Sequence, residues 1–195
     1  MTVIGLTGGI ASGKSTVSAY LKQKGIPVFD ADGTAWEVEK AGSPCLAALV
    51  RCFGPEILTP KGELDRKKMA DRAFHDPAVL GQLNAIVHEA IAKKRDTFLE
   101  GHRKDQVVVL DAPLLLECGW EKVTDTVWLV YLPEKEQIRR AMLRSGMTRE
   151  EVEDRIRKQL SLEEKKKRAQ VILDNSGTLE ELYAQVEQAL AAVQP

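Results

Sequence analysis

The sequence predicts a three-layer α/β fold around a parallel five-stranded sheet. Three observations support this prediction: short apolar segments alternate with helical segments, a glycine-rich loop follows the first apolar segment, and two longer stretches carry helical patterns only. Strands that are apolar throughout are typical of a parallel sheet covered by helices on both faces. The chain of 195 residues has the length of one domain, or of one domain with an insertion.

The chain opens with a strand, a loop, a helix and a second strand. Residues 3–7 are apolar and β-branched and stop at a pair of glycines, which predicts a buried strand. Residues 14–24 predict a helix that Gly25 ends in a left-handed conformation. Residues 26–29 predict the second strand, and the three remaining strands are predicted at residues 106–110, 126–132 and 171–173.

Two helical stretches interrupt this alternation. In residues 33–105, Asp76-Pro77 predicts a helix start, and apolar residues recur at helical spacing from Asn84 to Glu100. In residues 133–170, capping boxes that begin at Thr148 and Ser161 predict two short helices after one that begins near Pro133. A further box at Thr178 predicts the final helix. The predicted organisation is a core of residues 1–32, 106–132 and 171–195, a helical insertion at 33–105, and a second helical region at 133–170.

Composition and charge exclude several classes of protein. The net charge of −1 argues against a surface that binds nucleic acid or an anionic membrane. The three cysteines lack paired spacing, which argues against a disulfide framework or a structural zinc site and fits a reduced compartment. The amino-terminal segment lacks the pattern of a signal peptide, and no apolar run is long enough to span a membrane. We therefore expect a cytoplasmic protein, a monomer or a weak homo-oligomer, with no nucleic-acid or membrane partner.

The sharpest motif is the phosphate-binding pattern G-x-x-x-x-G-K-[ST], matched by residues 8–15 between a predicted strand and a predicted helix. Backbone N–H groups of such a loop surround a phosphate, and the helix amino terminus adds partial positive charge. Lys14 is expected to reach the β and γ phosphates, and the Ser15 hydroxyl is expected to bind Mg²⁺. The alternative is a glycine-rich turn that binds nothing.

Carboxylates at the ends of two predicted strands supply further candidates. Asp111 ends the apolar segment 107–110 and is expected to help hold Mg²⁺; alternatively, it is a solvent-facing residue at the end of a strand. No glutamate follows it, which disfavours a hydrolytic motor. Asp30 and Asp32 share one face after the second strand, so one of them could accept the proton of a substrate hydroxyl, or both could cap the next helix.

Basic residues of the second helical region are candidates for contact with a transferred phosphoryl group. Residues 133–170 hold twelve basic and eight acidic residues. Arg139, Arg140 and Arg144 recur at helical spacing, and guanidinium groups suit phosphoryl oxygens. For each arginine an ordinary surface role remains the alternative; the hypothesis is that at least one closes over ATP. The chain's histidines show no metal-binding spacing, and His88 is expected to be partly buried.

In their order along the chain, several segments resemble the dephospho-coenzyme A kinase family: GLTGGIASGKST, VFDAD, FG followed by GELDR, LNAIVH, DAPLLLE, the helix that carries Arg140, and VILDNSG. The resemblance covers nearly the whole chain. It implies a P-loop kinase of the nucleoside-monophosphate-kinase type, in which the insertion at 33–105 binds the coenzyme substrate and 133–170 forms a mobile lid. The implied reaction transfers the γ-phosphate of ATP to the ribose 3′-hydroxyl of dephospho-CoA.

The resemblance also implies roles for individual residues. Asp32 is the expected base, and Lys14 and Arg140 are expected to stabilise the γ-phosphate. The expected contacts to ATP come from the phosphate loop and a later segment, namely Gly8, Gly9, Ile10, Ala11, Ser12, Gly13, Lys14, Ser15, Thr16, Asn175 and Gly177. Besides Asp32, the residues expected near the acceptor are Leu64, Arg66, His88 and Pro113.

Three residues depart from the family pattern. Ala11 replaces a common glycine and is therefore expected to keep a negative φ. Trp36 replaces a common arginine, and Glu89 replaces a common proline where it could alter the start of a helix. The competing functions are another small-molecule kinase of the same fold, of the adenylate or shikimate type, and a non-catalytic nucleotide-binding switch. A guanine-reading switch is disfavoured because neither Asn84 nor Asn175 begins an N-K-x-D segment.

Overall fold

The computed structural model describes residues 1–193; the last two residues of the predicted core, 194 and 195, lie outside the described part. The strands are β1 (Thr2–Gly8), β2 (Val28–Asp30), β3 (Val107–Asp111), β4 (Thr126–Tyr131) and β5 (Val171–Asp174). The helices are α1 (Lys14–Gln23), α2 (Ala31–Val38), α3 (Pro44–Phe53), α4 (Arg66–His75), α5 (Pro77–Gly101), α6 (Glu134–Ser145), α7 (Arg149–Arg157), α8 (Leu162–Arg168) and α9 (Leu179–Val193).

The five strands form one sheet in the order β2-β3-β1-β4-β5, and β1 pairs in parallel with both β3 and β4. The predicted α/β fold with a parallel five-stranded sheet is confirmed. Its central strands are buried because nearly every residue is apolar, and α1 and α9 pack against one face. This arrangement brings the ends of β1 and β3, with the residues that follow them, to one edge of the sheet.

The chain divides into two compact units. One contains residues 1–29 and the chain from His102 onward, and the other contains Asp30–Gly101. In the second unit, α5 packs against α2, α3 and α4, with Leu49, Met69 and Ile91 among the buried residues. Residues 133–170 form α6, α7 and α8 within the first unit. Movement of this region as a lid stays a prediction.

Capping residues determine where several helices begin. Thr148 and Glu151 form a complete capping box, and Thr178 and Glu181 exchange the same two hydrogen bonds, at 2.8 and 3.2 Å. The Asp76 carboxylate accepts from the N–H of Ala78 at 2.8 Å, as its sequence position predicts.

Helix α5 begins at Pro77, as Asp76-Pro77 predicts, and continues without interruption through Asn84 to Gly101. Glu89 therefore lies inside this helix, and the expectation that it could alter a helix start was wrong. Within residues 1–193, no helix combines the length and apolar character needed to cross a membrane.

Candidate active site

The loop between β1 and α1 turns the backbone into the start of a helix. The N–H of Ser12 donates to the carbonyl of Gly9 at 3.2 Å, and the N–H of Thr16 donates to the carbonyl of Gly13 at 2.9 Å. Gly13 precedes α1 and provides no side-chain cap. No capping side chain therefore uses the N–H groups of the first turn of α1, and a helix start of this kind is suited to an anion.

Gly13 is required by both conformation and space. Its φ is +98°, which favours glycine, and a Cβ atom there would collide with the side-chain amide of Asn175. Asn175 follows β5, is 8% exposed, and donates from Nδ2 to the carbonyl of Ser12 at 2.7 Å. Asn175 thereby fixes the backbone of the phosphate loop at Ser12. This contact joins residues 163 positions apart.

Ala11 has a φ of +52°, so the expectation that it keeps a negative φ was wrong. The left-handed conformation is uncommon for a residue with a Cβ atom and is imposed here by the course of the loop. Ala11 packs beside the small cluster of Ile138, Ala141 and Val152. The loop therefore keeps the backbone conformation that a glycine would adopt.

Sequence reasoning missed Gln137, a residue of α6 that is 3% exposed. Its Nε2 donates to the carbonyl of Leu132 at 2.7 Å, and its amide lies so close to Gly9 that a Cβ atom at Gly9 would collide with it. A polar residue beside the inward-facing Ile138 and Ala141 was the one available indication. Gln137 limits the space on the other side of the loop.

Lys14 and Asp111 form an ion pair beside the loop. Lys14 opens α1, and Asp111 is the last residue of β3, paired in register with Leu6 of β1. Their side chains are only 16% and 7% exposed. The alternative interpretation of Asp111 as a solvent-facing residue is therefore wrong. A nearly buried carboxylate of this kind needs a cationic partner, which is Lys14.

The segment after β3 is tied to the entrance of the loop. The N–H of Ala112 bonds to the carbonyl of Leu6 at 3.0 Å, and the hydroxyl of Thr7 donates to the carbonyl of Pro113 at 3.1 Å. Thr7 immediately precedes Gly8. Two strand ends are thus fixed to each other at the point where the candidate catalytic residues emerge.

The three candidate arginines of α6 have different environments. Arg140 donates from Nη2 to the carbonyl of Asn175 at 3.1 Å, whereas Arg139 forms a surface ion pair with Glu136 at 2.8 Å. Arg140 and Arg144 line an open cavity of about 460 Å³, together with residues of the loop and of α1. The surface interpretation therefore suits Arg139, while Arg140 and Arg144 lie beside the loop.

In the second unit, Asp30 and Asp32 have separate positions at the start of α2. The Asp30 carboxylate accepts from the N–H of Gly33 at 3.0 Å and caps the helix. Asp32 lies in the first turn of α2 and is exposed. The capping alternative is therefore correct for Asp30, whereas the role of Asp32 as a base stays a prediction.

Arg66 is held by two neighbours in the same unit. Its guanidinium carbon lies 3.6 Å from the ring centroid of Trp36, and Nη1 lies 2.5 Å from Oε2 of Glu39. Burial raises the pKa of Glu39, and the Arg66 charge opposes that effect. Trp36, 62% exposed, thus orients Arg66.

Leu64 and His88 complete the candidate residues of this unit. Leu64, two residues before Arg66, forms an isolated antiparallel bridge with Leu58. His88 lies on α5 and is exposed, so the expectation of a partly buried histidine was wrong.

The chain has relatives along nearly all of its length. A family model described as dephospho-CoA kinase matches residues 2–181. A dephospho-CoA kinase from Symbiobacterium thermophilum is 45% identical over 194 residues, covering 98% of this chain and 81% of the relative. A dephospho-CoA kinase from Shouchella clausii is 47% identical over 190 residues, 96% of each chain. A crystal structure of a Thermus thermophilus protein is similar with a TM-score of 0.84 and 42% identity, covering 100% of this chain and 98% of that one.

Proposed function

Because the chain belongs to the dephospho-CoA kinase family, we propose that it transfers the γ-phosphate of ATP to the ribose 3′-hydroxyl of dephospho-CoA, giving coenzyme A and ADP in the last step of coenzyme A synthesis. The observation that carries the proposal is a phosphate loop with an adjacent, nearly buried Lys14–Asp111 pair in a chain matched along residues 2–181. Phosphoryl transfer depends mainly on positioning and on charge stabilisation, and these residues offer both.

The proposed ATP site is the loop from Gly8 to Thr16 with the segment that contains Asn175 and Gly177. Backbone N–H groups of the loop and of the first turn of α1 would bind the phosphates. Asn175 would support the loop through the carbonyl of Ser12, and Gly177 would border the adenine. Other interactions of the phosphates would come from side chains at the loop's edge.

Gly13→Ala is expected to weaken ATP binding by at least about tenfold, because alanine is strained at this φ and its methyl group would displace Asn175 from the loop. Calorimetric titration with ATP measures the effect. Gly25→Ala is the matched control: its φ is +79°, yet no atom lies within 4 Å of a Cβ placed there. Equal ATP affinity in the Gly13 variant and the wild type would contradict the proposed site.

Lys14 and Arg140 would stabilise the negative charge of the γ-phosphate during transfer. Lys14 is already beside the loop, paired with Asp111. Arg140 lines the cavity next to Ser15 and Thr16, and its guanidinium is oriented by the carbonyl of Asn175. Both cations therefore lie at the edge of the loop where a triphosphate would extend.

The donor atoms beside the loop suit Mg²⁺. The Asp111 carboxylate and the Ser15 hydroxyl are hard oxygen donors, the type that Mg²⁺ prefers. Within residues 1–193 no cluster of three or more histidine, cysteine or acidic residues could hold a metal, so the ion would be held mainly by nucleotide phosphates and water. When bound, Mg²⁺ neutralises phosphate charge, and the role of this chain is to place Asp111 and Ser15.

For the acceptor we propose Asp32 as the base that takes the proton of the 3′-hydroxyl. Leu64, Arg66, His88 and Pro113 are the proposed contacts to dephospho-CoA. The ion pair with Glu39 and the stack on Trp36 support such a role for Arg66, since they fix its guanidinium while it stays 40% exposed. A fixed guanidinium is well suited to bind an anionic group of the coenzyme.

The decisive experiment compares acceptors in a coupled ADP-release assay with the purified chain. Dephospho-CoA is expected to be phosphorylated at least about a hundredfold more efficiently than AMP, shikimate or pantothenate, as kcat/KM. Phosphorus NMR of the product is expected to show a new 3′-phosphomonoester. A higher kcat/KM for AMP or shikimate would instead favour another small-molecule kinase of this fold, and ATP binding without turnover would favour a nucleotide-binding switch.

The proposed setting of the reaction is the cytoplasm, with a monomer or a weak homo-oligomer and no nucleic-acid or membrane partner. The net charge of −1 and the unpaired spacing of the three cysteines support this setting.

A further inference from the structure

Lys165 of α8 is a lysine that is 1% exposed, and none of the roles proposed above uses it. Its ammonium donates to the carbonyl of Pro113 at 3.0 Å and to Oε1 of Gln159 at 3.4 Å. It also forms an ion pair with Oε1 of Glu117 at 3.1 Å. A buried ammonium is costly unless it is paired and hydrogen-bonded, and here it has three partners.

The partners of Lys165 belong to two segments that are distant in the sequence. Pro113 and Glu117 belong to the segment that follows β3, and Gln159 belongs to the connection between α7 and α8. The Glu117 carboxylate strengthens the link, because Oε1 also accepts from the N–H of Leu160 at 2.8 Å. The ion pair therefore fastens the α7–α8 connection to the segment after β3.

The contacts of Lys165 are connected to the phosphate loop in two ways, both through Pro113. The carbonyl of Pro113 that accepts from Lys165 also accepts from the hydroxyl of Thr7, the residue before the loop. Pro113 is also two residues from Asp111, the partner of Lys14. A displacement of Pro113 would therefore disturb both the entrance of the loop and the Lys14–Asp111 pair.

A cavity lies between the phosphate loop and the α7–α8 connection. Its volume is about 420 Å³, and it is lined by Gly9 of the loop, by Gln137 of α6, and by Gln159 and Lys165. The helical region that contains α7 and α8 thus faces the phosphate loop across this cavity, and Lys165 is part of the lining.

We propose that Lys165 is a positioning residue for phosphoryl transfer, which holds the carbonyl of Pro113 and, with Glu117, anchors the α7–α8 connection beside the phosphate loop. Lys165 acts through these groups and is not proposed to touch the substrates. The inference rests on the proposed function, since its main measurement is the rate of phosphorylation of dephospho-CoA.

The test begins with Lys165→Met, which keeps a long side chain and removes the ammonium. We expect kcat to fall about 10- to 100-fold, because Pro113 no longer holds the end of β1 and the Lys14–Asp111 pair in place. The KM for ATP is expected to stay within about twofold, because the hydrogen bonds within the loop do not involve Pro113. Lys167→Met is the matched control, since it removes only an exposed pair with Glu164 on the same helix. The control is expected to keep wild-type kcat.

The double variant Lys165→Met/Glu117→Gln separates positioning from simple charge balance. Glutamine can still accept from Leu160, and no buried charge is left unpaired, so Tm is expected to recover most of any loss. The kcat is expected to stay low, because the carbonyl of Pro113 still lacks its ammonium. In the double variant, recovery of both Tm and kcat would overturn the proposal, and so would loss of both. In Lys165→Met, a wild-type kcat would overturn it as well.

Failure of the proposed function has a different outcome. In that case the wild-type protein itself would not phosphorylate dephospho-CoA. If only the positioning role fails, the wild-type protein would phosphorylate dephospho-CoA, and Lys165→Met would do so with the same kcat. If the single variant does not fold, the double variant alone decides, since near-wild-type kcat contradicts the proposal and low kcat with wild-type Tm supports it.

Discussion

Lys14→Met is expected to reduce the rate of phosphoryl transfer by about a thousandfold. Methionine preserves the length of the side chain and removes the charge that we place on the β and γ phosphates, and the loss of one preorganised group of this kind costs about 10²–10³ in rate. The substitution also leaves the nearly buried Asp111 without its cation. Single-turnover measurement of γ-phosphate transfer to dephospho-CoA tests this expectation.

The second consequence of Lys14→Met is a loss of stability of about 3–5 kcal/mol, the cost of removing one partner of a buried ion pair. Lys14→Met/Asp111→Asn is expected to recover this stability without recovering turnover. Lys24→Met is the control, because Lys24 forms a half-exposed pair with Glu187 and should stay within about threefold of the wild-type rate. A wild-type single-turnover rate in Lys14→Met would remove Lys14 from the mechanism.

The parts of the site that depend on local sequence could be predicted. A strand that ends at glycines, followed by a Lys-Ser pair at a helix start, specifies the backbone of the loop within about fifteen residues, and the structure has β1 at Thr2–Gly8 and α1 from Lys14. Asp76 and Thr148 likewise begin helices through bonds to neighbours two or three residues away. Such contacts join residues that are close together in the sequence, so a local pattern is enough to predict them.

The parts that depend on distant contacts could not be predicted. Gln137 fills the space beside Gly9, and Asn175 supports Ser12 across 163 residues, so neither role is visible in a local pattern. The sign of φ at Ala11 follows from the closure of the loop and not from the preference of alanine. Lys165 is one of the twelve basic residues of 133–170, and its burial becomes evident only when α8 is placed beside the segment after β3.

Trp36, in the second unit, also has a role that the sequence pattern does not predict. Trp36 stands where the family commonly has an arginine. Its ring instead stacks with the guanidinium of Arg66, which Glu39 holds from another direction. A residue that replaces a charged contact can therefore support a neighbouring one, and only the local packing of α2 with the start of α4 reveals it.

Asp32→Asn is expected to lower kcat by about 10²–10⁴-fold while the Kd for ATP stays within about twofold. Asparagine keeps the size and the hydrogen-bonding shape of the side chain but cannot take the proton of the 3′-hydroxyl. Because the phosphate loop is unchanged, ATP should still bind, and the loss should appear in single-turnover transfer. Asp32 is exposed in the first turn of α2, so the substitution should alter Tm little.

Asp30→Asn is the matched control for this prediction. Asp30 caps α2 through the N–H of Gly33, and asparagine caps helices about as well as aspartate, so this variant should keep both its fold and its turnover. The pair of variants distinguishes two carboxylates that are two residues apart. Loss of turnover in Asp30→Asn with full turnover in Asp32→Asn would assign the base to Asp30, and full turnover in both would show that transfer needs no carboxylate base at the end of β2.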